Sequence, residues 1–131
     1  MKSFSKFIIL FIFFFSLSFS AQKTTWLNQA LKETNKAKST YYKVVSKNKK
    51  SVTFYYKSGK VFRELKLING KEMGAFSEFY ETGEIRVQGR YNNGLEEGVW
   101  KVYDKKGKIR EKGKYDKGEK VGVWKTFYKN F

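Results

Sequence analysis

The chain contains neither histidine nor cysteine. That removes the commonest general base, thiol nucleophiles, disulfides and Cys/His metal sites together. Asp104 and Asp116 are its only aspartates, one just before a turn and one inside a turn, and Glu96 and Glu97 are adjacent loop carboxylates. General acid–base chemistry needs a positioned pair in a concave pocket, and neighbours in a loop need not converge on a substrate. No residue is assigned a catalytic, metal-binding or cofactor-binding role, and no enzyme is expected. What the chain supplies is cations: Lys and Arg number 28 against 12 Asp and Glu, for a formal charge of +16. Lys66, Arg86, Arg90, Arg110, Lys112 and Lys114 recur at alternate positions of one repeated segment. That is chemistry for holding an anion.

The elements that must position these cations follow from a repeat of 24 residues that accounts for every glycine. Gly59, Gly83 and Gly107 hold its first glycine position. Gly89 and Gly113 hold the second, with Leu65 in that slot one unit earlier. Gly70, Gly94 and Gly118 hold the third, and Gly74, Gly98 and Gly122 the fourth. Tyr55, Phe79, Tyr103 and Phe127 form one aromatic column, and Phe76, Trp100 and Trp124 another. A period without insertions means one supersecondary unit copied in register.

Each unit alternates two strands and two turns. Val99 to Asp104 and its copies read as a first kind of strand, closed by Ser58-Gly59, Thr82-Gly83 or Lys106-Gly107. Ile85 to Tyr91 and its copies read as a second kind, closed by Asn69-Gly70, Asn93-Gly94 or Lys117-Gly118, a strong hairpin signal. Connections this short exclude parallel crossovers. The prediction is all-β: an elongated single-layer antiparallel meander of about eight strands built from hairpin repeats. Its repeat domain spans residues 51–131, with units at 51–74, 75–98 and 99–122 and a partial unit at 123–131. The partial unit leaves an unpaired strand edge, suited to a partner's sheet or to a second copy in a homodimer.

Alternation along the second strand puts Val87, Gly89 and Tyr91 on an apolar face and Arg86, Gln88 and Arg90 on the other. The copies then stack Arg86 with Arg110 and Arg90 with Lys114, and Lys66 extends the last column. Two readings stand: an anion-binding stripe, or a solvated face that serves solubility and edge protection. The first strand carries apolar bulk on both sides, so its faces cannot be assigned by periodicity. Phe76, Trp100 and Trp124 are accordingly either core or an exposed aromatic contact column.

Upstream of the repeats, Lys2 and Lys6 precede the apolar run Phe7 to Phe19, and Ser18-Phe19-Ser20-Ala21 offers a small-residue cleavage site. Residues 1–21 therefore read as a secretory signal peptide, the run being shorter than the roughly 20 residues of a spanning helix. Export to a periplasmic or extracellular space follows, and with no cysteine to carry a lipid the product is not a lipoprotein. Residues 22–50 form a lead-in and first strand, with Thr40 to Val45 pairing Val52 to Tyr56. The spacing of Trp26, Leu27, Ala30 and Leu31 predicts a short helix capping the array.

The stretches Gly89-Arg90-Tyr91-Asn92-Asn93-Gly94-Leu95-Glu96-Glu97-Gly98-Val99-Trp100 and Gly113 to Trp124 resemble the MORN repeat (membrane occupation and recognition nexus). More narrowly they resemble bacterial MORN variants with Trp-x-x-Tyr after the last glycine, which are often labelled antitoxins. The resemblance covers about residues 38–131. It implies an elongated sheet of hairpins used as an interaction or scaffold module, sometimes with lipid binding or dimerisation. Phe76, Trp100 and Trp124 stand where standard units often carry another glycine, which departs from the lipid-binding pattern. The expected function is a protein-interaction module of the cell envelope. Two alternatives are a binder of anionic lipid, lipopolysaccharide or acidic glycan, and an antitoxin neutralising a cognate toxin. Nucleic acid is not an expected partner for an exported chain.

Overall fold

The computed structural model describes residues 22–128. The signal-peptide assignment at 1–21 lies outside the described residues, as do residues 129–131.

The lead-in supplies β1 (Thr24–Leu27), and the first hairpin is β2 (Tyr41–Val45) with β3 (Ser51–Tyr56). The repeats follow as β4 (Val61–Ile68), β5 (Lys71–Glu72), β6 (Gly74–Phe79), β7 (Ile85–Asn92) and β8 (Leu95–Glu96). Then come β9 (Gly98–Tyr103), β10 (Ile109–Asp116) and β11 (Glu119–Thr126). All belong to one open antiparallel sheet in the order β1-β2-β3-β4-β6-β7-β9-β10-β11, with β5 on β4 and β8 on β7. The predicted meander is present. It has more strands than expected, because the lead-in adds β1 and the residues after each Asn-Gly turn pair briefly on their own.

The capping helix expected around Trp26 is a strand. β1 pairs β2 from Thr24↔Val44 to Leu27↔Tyr41. Thr24, Thr25 and Trp26 suit a pleated surface, and pairing satisfies a row of β2 backbone groups that a helix would leave open. Adjacent strand residues face opposite ways. Trp26 therefore packs on Tyr42, with ring centroids 5.3 Å apart, while Leu27 is 1% exposed on the other side. One turn of 3-10 helix, Lys36–Lys38, follows and is capped by the Asn35 side chain.

The turns obey their sequence. Asn69-Gly70, Asn93-Gly94 and Lys117-Gly118 each hold both central residues at positive φ (51° and 78°, 50° and 85°, 47° and 84°). This is the twisted two-residue turn that matches the flanking strands.

The second strand of each unit carries a bulge. Opposite its partner, β4 skips Phe62, β7 skips Arg86 and β10 skips Arg110. The extra residue breaks strict alternation and re-aims a side chain. That single device decides much of what each face displays.

The core lies on one face and has no second layer. Val52, Leu65, Phe76 and Trp100 are buried, with Phe54, Leu67, Val87, Tyr91, Tyr115 and Trp124 packed around them. The rings cover each other edge-to-face: Phe76–Tyr91 at 5.4 Å, Tyr91–Trp100 at 5.4 Å, Trp100–Tyr115 at 5.6 Å and Tyr115–Trp124 at 5.0 Å. Such pairs add roughly 0.5–1.5 kcal/mol each beyond area burial. Units are also stitched by hydroxyls, with Tyr56 donating to the Phe79 carbonyl at 2.8 Å and Tyr80 to the Tyr103 carbonyl at 2.7 Å. Asp104 takes the equivalent place in the next unit and binds Arg110 instead.

Candidate functional site

The pairing register assigns the faces that periodicity left open, because residues directly opposite each other share a face. One unbroken cross-strand row reads Thr53, Glu64, Ser77, Gln88, Lys101, Lys112, Lys125. It crosses seven successive strands of the sheet path and ends in three lysines side by side. In the adjacent row Ala75 opposes Arg90, and Lys114 lies between Val99 and Val121. Lys66 lies on the same side, two residues beyond Glu64. Of the cations singled out in sequence, Lys66, Arg90, Lys112 and Lys114 do share one face.

Arg86 and Arg110 do not join that stripe, and the bulge is the reason. Arg86 turns to the buried carboxylate of Glu78, with Nε 3.4 Å from Oε1, and lies over the Tyr80 ring. Glu78 also holds Arg63 at 2.7 Å. Arg110 binds Asp104 through Nε and Nη2. Arg110 thus has a carboxylate of its own, whereas Arg86 shares the single Glu78 carboxylate with Arg63. In the unit before, Phe62 fills the bulge and stacks on Tyr41 at 4.4 Å.

Lys101 and Lys125 take their places in the basic row, and sequence reasoning missed them. They come from the first kind of strand, whose two apolar faces gave no alternation to follow. The Lys101↔Lys112↔Lys125 register was the signal. Among the described residues, no carboxylate lies within ion-pair distance of Lys101, Lys112, Lys114 or Lys125. Like charges directly opposite are destabilising in a sheet. The surroundings include apolar surface: Val99, Val121 and Val123 are exposed, the last at 80%. Together with Lys112, Lys114 and Lys125 they line a hollow of about 310 Å³.

The opposite face has the reverse character. Phe76, Trp100 and Trp124 lie there as packed core, at 4% and 8% exposure for the first two, and do not form an exposed contact column. Trp124 Nε1 donates to the Lys114 carbonyl at 3.1 Å. The buried Trp100 Nε1 has no hydrogen-bond partner among the described residues, and the repeat-equivalent Arg90 carbonyl accepts from the Glu97 N–H at 2.9 Å. Glu78, Glu96 and Glu111 line the aromatic hollow, whereas Glu97 lines one on the basic face. The adjacent pair Glu96 and Glu97 is therefore split between faces. Burial pushes the Tyr91 hydroxyl up to about 12, with the nearby Glu96 carboxylate adding to the shift. Asp104 feels a desolvation that raises its pKa. Hydrogen bonds from the Lys108 and Lys106 N–H groups and from Arg110 outweigh it and hold the carboxyl below its ordinary value.

Among the described residues there is no cluster of three or more His, Cys, Asp or Glu able to hold a metal, and no helix long and apolar enough to cross a membrane.

Fold and face together define a β-hairpin repeat protein with one aromatic packed face and one basic exposed face. Residues 74–93 and 96–117 match the family model of the MORN repeat variant. Over those two segments the chain is similar to MORN-variant repeats, which as a class are interaction modules for proteins or membranes. Neither a curated protein nor a solved structure matches it.

Proposed function

We propose that this chain is an exported, non-enzymatic interaction module of the cell envelope that holds an acidic partner against its basic sheet face. The observation that carries the reading is the set of unpaired lysines on β9, β10 and β11, placed next to one another where a sheet would be more stable with mixed charge. A solubility face gains nothing from that arrangement, since interspersed signs serve it as well. Export draws its support from residues 1–21, and a partner met outside the cytoplasm fits a surface with long-range attraction for anions.

The test is capture from envelope extract, coupled to fractionation of cells expressing the full chain. The expected result is export with loss of the leader. An acidic component should be retained at low salt, released by high salt, and lost when Lys66, Arg90, Lys112 and Lys114 are changed to Ser. A chain that stays in the cytoplasm, or a captured set indifferent to those changes, would sink the proposal.

A further inference from the structure

The two edges of the sheet are finished differently. The β1 edge is covered: the chain doubles back after Leu27, Glu33 bridges to Leu27, and the Thr34 N–H donates to the Trp26 carbonyl at 2.9 Å. At the other edge, among the described residues, β11 pairs only with β10. Phe127 turns its N–H inward to the Arg110 carbonyl at 2.8 Å. By alternation the backbone groups of Trp124 and Thr126 point outward from this edge. Its side chains are also less covered than their repeat counterparts one unit earlier. Val99 is 42% exposed and Val123 80%, while Trp100 is buried and Trp124 only partly so. An open edge with apolar side chains is a template for another strand, and the chain has no proline to block it.

The residues of β11 say which strand fits. Opposite residues of an antiparallel pair share a face. Val121 and Lys125 oppose Lys114 and Lys112 on the basic face, and Glu119 opposes Asp116 on that side. Lys120 lies on the aromatic face, its Nζ 4.2 Å from the centre of the Trp124 ring. Consider a second copy related by a two-fold axis through Gly122 and normal to the sheet. It places Glu119 opposite Lys125, Lys120 opposite Trp124 and Val121 opposite Val123, and symmetry repeats each pair. Opposite charges, a cation with an indole, and two β-branched residues are all favourable cross-strand pairs. Moving the axis by one residue loses the match. At Val123 it sets Glu119 against Phe127 and Val121 against Lys125; at Val121 it sets Glu119 against Val123. The complementarity belongs to the edge unit, because the inner units carry Leu95-Glu96 or Lys71-Glu72 where β11 carries Glu119-Lys120. We propose that the chain forms a symmetric dimer through β11, with the two sheets joined edge to edge in this register. The dimer does not depend on the basic-face reading. It would set both basic faces on one side of a single continuous sheet.

The test is sedimentation equilibrium of the full chain after leader removal, at physiological salt, with a charge swap across the proposed axis. Glu119→Lys sets lysine against Lys125, and Lys125→Glu sets glutamate against Glu119. Each single change turns two exposed ion pairs from attraction to repulsion and should weaken the dimer roughly tenfold or more. The double variant keeps the native net charge and should restore it. Ile68→Lys, at a site 55% exposed and away from this edge, should leave the dimer unchanged. The chain has no cysteine, so introduced thiols report the register directly. An equimolar mixture of Val121→Cys and Val123→Cys chains should yield a mixed disulfide dimer under mild oxidation. Ile68→Cys mixed with either should not. Circular dichroism of each variant separates lost association from lost fold. A native chain that stays monomeric at high micromolar concentration overturns the proposal. So does a dimer indifferent to both single swaps, or one that the double variant fails to recover. Mass that grows beyond the dimer shows head-to-tail association and overturns it as well.

Discussion

The one unit that departs from the glycine pattern makes a sharp prediction. Gly89 and Gly113 lie under Trp100 and Trp124: a Cβ on Gly89 would sit 2.2 Å from Trp100 Cδ2, and one on Gly113 2.1 Å from Trp124 Cδ2. In the preceding unit the slot holds Leu65, which lies beside Phe76 in the sheet register. The pairs are therefore leucine with phenylalanine and glycine with tryptophan, which balances volume at one core position. Gly89 is not held at positive φ, so its backbone admits a side chain, and the indole alone forbids one.

Carbon contacts settle near 3.5–4.0 Å, so Gly89→Leu forces the Trp100 ring back by more than 1 Å from its approach of 2.2 Å. Phe76 at 5.2 Å, Tyr91 at 5.4 Å and Tyr115 at 5.6 Å leave it nowhere to go. Overpacking of this degree costs about 3 kcal/mol. Trp100→Phe alone leaves a void and costs about 1.5 kcal/mol. The double substitution recreates the Leu65–Phe76 pair and should cost about 1.5 kcal/mol rather than their sum, a coupling of about 3 kcal/mol. Urea unfolding followed by far-UV circular dichroism measures all four corners. Gly89→Ala replaces Gly89→Leu if the latter does not fold. Single effects that add within about 0.5 kcal/mol would refute the reasoning.

Further predictions concern charge and turns. Lys112→Glu replaces two like-charged cross-strand contacts, to Lys101 and Lys125, with two opposite-charged ones. It should stabilise the sheet by about 1 kcal/mol, read as a Tm higher by about 4–8 °C, and abolish anion binding. Lys117 sits at φ 47° in the turn where the other units use Asn. Lys117→Asn should add about 0.5 kcal/mol in the same unfolding assay, because Asn tolerates that conformation better. The folded Asp104 carboxyl is held below its unfolded value. Its contribution is therefore present above the ordinary aspartate range and lost as pH falls through the lowered folded value. Asp104→Asn should flatten the fall of stability below the ordinary aspartate range of about pH 4, and an unchanged acid limb would count against the pairing with Arg110.

Much of the fold was legible because turns were written in the local sequence. The Asn-Gly pairs marked the hairpins, and the period marked the copies. The helix expected at Trp26 failed because spacing was read without the demand of β2 for a partner. Glu33 even bridges back to Leu27 as the segment returns along β1. Two of the six cations expected on the basic face, Arg86 and Arg110, left it for a different reason. A bulge skips one residue opposite a partner, and nothing in Ile85-Arg86-Val87 differs from simple alternation. Glu78 is what shows that Arg86 turns inward, and Glu78 lies on another strand.

The same bulge explains why the surviving cations are informative. Arg63, Arg86 and Arg110 show that the sheet pairs a cation with a carboxylate where stability is the issue, through Glu78 and Asp104. On the other face the chain reaches the opposite arrangement with equally small sequence changes available. Gln88 already stands in the row as a neutral residue beside Lys101, and Glu64 as an acid further along it. Either residue type at Lys112 would relieve the repulsion. A row kept positive where a neutral or acidic residue fits the pleat is a cost borne in the unbound state, and an anion laid along the row removes it. Lys112→Glu should thus raise stability and lower anion affinity together. Ligand should raise the Tm of the native chain and leave that of the variant unchanged.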